Sequence, residues 1–149
     1  MATVSCSTVL SAPLHEVWEV LGDFGAWPDF IPRITHSVLE GGRGRGPVGG
    51  VRVLTLNDGT TVRERLVHYD DDAHVLAYVF DDSIPFPVRS YVGRVQLWPV
   101  TMGDGGTFIY WTGTFDCDQA EHDKVSGIFA RTYSTFITNL SDHFGRSGP

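Results

Sequence analysis

Apolar and polar positions alternate with a period of two near the start of the chain, break, alternate again through a long middle stretch, and end in a period of 3.6. Thr3 to Leu10 reads as a strand, and Ser11-Ala12-Pro13 supplies an N-cap candidate with proline in the first helical turn. Leu14, Val17, Trp18 and Leu21 recur at helical spacing through about Leu21, and Gly22 with Asp23 ends the run. Phe24, Trp27, Phe30 and Ile31 are interrupted by Pro28 and Pro32, which predicts a bent aromatic connector with a short helical piece.

Strands are predicted over 34–40, 50–57, 60–69, 74–80, 88–99 and 106–117. They are separated by the glycine cluster, Asn57-Asp58-Gly59, Asp70-Asp71-Asp72, the segment from Asp81 to Pro87, and the turn at Met102 to Gly106. Short turns between successive strands imply an antiparallel meander. From about Gln119 to Phe144, Val125, Phe129, Thr132 or Tyr133, Phe136, Leu140 and Phe144 follow the helical repeat. This long helix carries a wide aromatic stripe, and the sheet is the surface large enough to cover it. The order predicts an α+β helix-grip fold: a curved seven-stranded antiparallel sheet around a long C-terminal helix, with two short helices after the first strand. Incomplete closure of the sheet on its helix leaves a cavity suited to a small ligand.

The length, 149 residues, fits one domain spanning 1–149, and the 9 Phe, 5 Tyr and 4 Trp should largely line its interior. A formal net charge of −7 argues against phosphate backbones and anionic membranes as partners, so neither nucleic acid nor membrane is expected. Arg43 and Arg45 form one short basic stretch, read as a solvated glycine-rich loop. With no leader-like apolar segment, the expected location is cytoplasmic, as a monomer or homodimer. Cys6 and Cys117 lack metal or redox spacing and are expected to be small buried hydrophobes. The six histidines are scattered, so no metal is expected, and no nucleotide fingerprint implies a cofactor.

One anomaly breaks the strand pattern. Alternation through Val62, Glu64, Leu66 and His68 puts a carboxylate on an apolar face. Burial disfavours the charged form of a carboxylate and raises its pKa, which would suit Glu64 to proton transfer near neutrality. The alternative is a structural pair, with Arg52 or Arg89 holding Glu64 ionised.

The motifs Ala12-Pro13 with Val17-Trp18, Asp23-Phe24 with Trp27-Pro28, Gly50-Val51-Arg52, Glu64-Arg65-Leu66 before three aspartates, Tyr91, and Gly106-Thr107 span nearly the whole chain. With them the chain resembles the SRPBCC superfamily, which includes START domains, birch-pollen-allergen proteins and bacterial polyketide cyclase/dehydrase-like proteins. It is similar through its middle to the plant abscisic acid receptors, but the gate and latch loops are replaced by Leu56 to Thr60 and by Phe86-Pro87-Val88. Near the position of their buried lysine stand Asp29 and, as the only base, Arg33. Abscisic acid is therefore not the expected ligand.

The resemblance implies that Glu64 and Tyr91 lie in the cavity wall, with Arg89, Gly93, Val95 and Leu97 sharing the face of Tyr91. It implies Glu64 as general base or acid, Tyr91 as the group that polarises an oxygen, and Arg52 or Arg89 as the stabiliser of enolate charge. Trp27, Phe30, Leu66 and Tyr78 are candidate cavity residues, with Trp111 as a stacking platform or core filling. Phe86 is placed on a proline-bracketed lid or an ordinary hairpin connection, His68 at one end of the cavity, and Phe129, Tyr133 and Phe136 on the helix. The implied activity is cofactor-independent cyclisation, dehydration or isomerisation of a small hydrophobic, oxygenated molecule. The alternative is a binding or carrier protein using the same cavity.

Overall fold

In the computed structural model, which describes residues 1–146, seven strands and two α-helices follow the predicted order. Strand β1 (Ala2–Leu10) leads into helix α1 (Leu14–Leu21), and a short 3-10 turn covers Trp27–Asp29. The meander comprises β2 (Ile34–Glu40), β3 (Val51–Leu56), β4 (Thr61–Asp70), β5 (Val75–Phe80), β6 (Ser90–Pro99) and β7 (Thr107–Asp116). Helix α2 (His122–Arg146) closes the fold after a second 3-10 turn at Gln119–Glu121. All pairings are antiparallel, in the order β1-β7-β6-β5-β4-β3-β2.

The pairing of β1 with β7 joins the two ends of the chain, Ala2 opposite Phe115 and Leu10 opposite Thr107. β1 and β2 remain as free edges, so the sheet curves around α2 without closing. The buried stripe of α2 is Val125, Phe129, Tyr133, Ile137 and Leu140, each a helical turn from the next. It meets the inward positions of β7: Tyr133 stacks on Trp111 with centroids 5.9 Å apart, and Phe129 lies 5.3 Å from Phe115. Trp27 ties the connector to α1 by donating its indole N–H to the Leu21 carbonyl at 3.0 Å.

Two local details differ from the sequence reading. The N-cap of α1 is Pro13, not Ser11: its extended backbone (φ −71°, ψ 154°) turns its carbonyl to accept the Glu16 and Val17 amides at 3.0 and 3.1 Å. Ser11 therefore sits two positions upstream of the cap. Cys6 and Cys117 are free and half-buried rather than fully interior: Cys6 lies on the edge strand β1, and β7 ends at Asp116 and leaves Cys117 beyond its last pair.

Candidate functional site

Between the concave face of the sheet and α2 lies a cavity of about 140 Å³. Its deep end is built on β3 and β4, where Arg52 stands directly opposite Glu64. Each occupies an inward position, and each is buried, Arg52 at 1% and Glu64 at 8% exposure. The Arg52 Nε and Nη2 both donate to Glu64 Oε1, at 2.9 and 2.7 Å, while Nη1 donates to the Phe24 carbonyl at 2.9 Å. The guanidinium carbon lies 3.9 Å from the centre of the Phe24 ring and 3.8 Å from that of Trp27. A buried cation is costly unless its charge is met. Here a carboxylate, a carbonyl and two aromatic faces meet it. Glu64 Oε2 accepts no hydrogen bond from the described residues, and Glu64 lines the cavity.

Three tyrosines surround the same end. Gly93 and Gly113 face each other across β6 and β7, and their missing side chains make room for the rings. A Cβ at Gly93 would stand 2.8 Å from the Tyr91 hydroxyl and overlap the Tyr78 ring, and one at Gly113 would overlap the Tyr133 hydroxyl. The Tyr91 and Tyr133 hydroxyls are hydrogen-bonded to each other, and Trp111 Nε1 donates to the Tyr78 hydroxyl at 3.1 Å. Burial pushes all three phenols above the ordinary tyrosine range, and the Glu64 charge adds to the rise in each. They are neutral hydroxyls, able to donate to or accept from an oxygen. Glu64 and the three tyrosines line the same cavity, whose other walls are largely apolar.

The other end opens to solvent. Phe86, with ring centres 5.8 Å from Phe80 and 5.2 Å from Phe129, stands at the mouth beside Pro85. Ile128 and Thr132 of α2, Leu56 and Val62 of β3 and β4, and Arg33 complete the rim.

Of the residues anticipated from the sequence, Arg52, Glu64, Tyr91, Trp27, Tyr78, Phe86, Phe129, Tyr133 and Phe136 line this cavity. Five others do not. Trp111 is wholly buried behind Trp27, Tyr133 and Phe136 and fills the core. Leu66 is also fully interior, and Phe30 packs on the far side of Trp27, ring centres 5.9 Å apart.

His68 is exposed because a bulge between Leu66 and His68 shifts the register by one residue. Past such a bulge the inward face falls on the next residue: Tyr69 turns in, giving its hydroxyl hydrogen to the Gly22 carbonyl at 2.8 Å. Arg89 precedes β6 and turns outward to Asp116 and Asp118, at 3.0 and 2.6 Å. The structure adds Leu54 and Leu56 to the lining, where they continue the alternation set by Arg52 on β3. Among the described residues no group of three or more His, Cys, Asp and Glu is arranged to hold a metal ion. No described helix is long and apolar enough to cross a membrane.

Known structures share this architecture. XoxI from Bacillus cereus is 28% identical, with 97% of this chain and 96% of that one aligned at a TM-score of 0.83. A protein from Thermobifida fusca, solved in solution, is 30% identical over 98% of this chain and 95% of its own, with a TM-score of 0.81. Ginseng major latex-like protein 151 from Panax ginseng shares the fold at 19% identity and a TM-score of 0.76, with 95% and 96% covered. The model of the family described as polyketide cyclase / dehydrase and lipid transport matches residues 1–145, and with the helix-grip sheet and its cavity this establishes that the chain belongs to that family.

Proposed function

We propose that the protein encloses a small, largely apolar, oxygenated molecule in the cavity and holds its polar end at Glu64 and the tyrosine hydroxyls. One observation carries this reading: a buried carboxylate, fixed by Arg52 through one oxygen, leaves the other without a protein donor at the bottom of an aromatic cavity. That oxygen keeps its acceptor capacity facing the cavity, and a ligand hydroxyl or enol could donate to it. The volume compares with the roughly 150 Å³ that accommodates one benzene. A single-ring molecule therefore fits better than a long acyl chain.

The same oxygen supports a catalytic reading. Glu64 Oε2 would take a proton from the carbon beside a carbonyl, while whichever of the bonded Tyr91 and Tyr133 hydroxyls accepts from the other donates its own proton to the enolate oxygen that forms. Cyclisation, dehydration and isomerisation can all start from that enolate. Arg52 is already engaged with Glu64 and the Phe24 carbonyl, so its part is to position the carboxylate. Arg89 lies outside the cavity and takes none.

Calorimetric titration with para-propylphenol tests the binding reading. The wild-type protein should bind it, Ile128→Trp should block the mouth and abolish binding, and native mass spectrometry from the source cells should detect a retained small molecule. Equal binding by Ile128→Trp would refute the cavity as the site. For catalysis, Glu64→Gln should remove turnover of the retained molecule while preserving most affinity; a protein with no turnover to lose is a carrier.

A further inference from the structure

The charged residues lining the cavity are Arg33, Arg52 and Glu64. Arg52 and Glu64 neutralise each other at the deep end. Arg33 has no such partner: none of the ion pairs or side-chain hydrogen bonds among the described residues involves its guanidinium. Asp58 feels the Arg33 charge but forms no ion pair with it, its Oδ1 accepting from the Thr60 amide at 2.9 Å.

The Arg33 backbone is anchored, its carbonyl accepting the Asn57 amide at 2.8 Å, and the next residue, Ile34, is buried in the cavity wall. The exposed guanidinium is thus carried from a fixed point on the rim. In a chain of net charge −7, the cavity carries a net positive charge, and that charge sits at the mouth.

The geometry points to an amphipathic organic acid as the ligand, with its ring in the cavity, a hydroxyl or enol donor on Glu64 Oε2, and a carboxylate at Arg33. This rests on the cavity-binding reading above and adds chemical class and orientation to it. The orientation is one-way. A carboxylate driven to the deep end would meet the Glu64 charge in a desolvated space, whereas at the rim it keeps part of its water and gains a cation. A hydroxyl at the rim would leave Oε2 unsatisfied.

The test is calorimetric titration of wild-type protein and Arg33→Gln with para-hydroxyphenylpropanoate, its methyl ester and para-propylphenol, at low and high salt. Arg33 is exposed, so the substitution leaves the core untouched. The acid should bind the wild type more tightly than its ester, and Arg33→Gln should weaken the acid by about three- to fivefold while sparing both neutral probes. High salt should reproduce the loss, because the contact lies at the surface. If acid and ester bind the wild type alike, or Arg33→Gln weakens all three equally, the acid class is overturned while the cavity reading stands. Should none of the three bind the wild type, both readings fall.

Discussion

Removing Arg52 while keeping Glu64 is the perturbation whose cost the structure defines best. Arg52→Met preserves much of the side-chain length but leaves a carboxylate at 8% exposure without its two guanidinium bonds, and frees the Phe24 carbonyl. Breaking one side of a buried pair costs about 3–5 kcal/mol. Loss of the cation from between two rings lies within that range rather than beyond it, since desolvated contacts of this kind amount to about 2 kcal/mol and overlap with the same event.

Glu64→Leu should be comparably harmful, because it strands the arginine. The double variant Arg52→Met/Glu64→Leu should recover most of the loss, since apolar replacements of a buried pair are often neutral or better. Urea unfolding of the four proteins, followed by tryptophan fluorescence, gives the coupling energy, the two single losses less the small loss of the double variant, which should be at least about 5 kcal/mol in favour of the pair. A single Arg52→Met costing under about 1 kcal/mol, or a double variant no more stable than either single one, would refute the account of a mutually dependent buried pair.

Other outcomes follow from the same geometry. Gly113→Ala should destabilise the fold by about 1–3 kcal/mol and weaken phenol binding, because the added methyl overlaps the Tyr133 hydroxyl; unchanged thermal melts would contradict the packing described. Stability should fall with rising alkalinity: Tyr78, Tyr91 and Tyr133 stay protonated in the fold but ionise when unfolded. Their raised pKa values therefore contribute stability that is full below about pH 10 and is lost as pH climbs from there toward the folded values. Melts from neutral to alkaline pH should show a shallower decline for Tyr91→Phe than for the wild type, and identical slopes would count against it. His68→Ala and Arg89→Ala should leave titrations with para-propylphenol unchanged, as both side chains lie outside the cavity; a loss of affinity in either would relocate the site.

How much was legible depended on range. Alternation is a local property, so the meander, the long helix and the inward parity of Glu64 could be read directly from neighbouring residues, whereas Tyr91 was placed in the cavity wall by the family resemblance. Parity fails where the backbone departs from regular pleat. The bulge after Leu66 sends His68 outward and Tyr69 inward, and nothing in Leu66 to Tyr69 announces it. Arg89 fails for a related reason, since it lies one residue before β6 begins, and Asp116 at the end of β7 and Asp118 just past it draw it to the surface.

Pattern by itself therefore determined the element order, the fold class and the presence of a carboxylate on an apolar face, because each is encoded in the spacing of adjacent side chains. Only the tertiary structure decided the rest. Cross-strand register made Arg52 the partner of Glu64, and α1's connector laid Phe24 and Trp27 over the guanidinium. Paired glycines on β6 and β7 opened the space into which α2 delivers Tyr133. Those contacts join residues far apart in the chain, and their geometry is set by how the sheet curves around its helix, a property that no single segment carries.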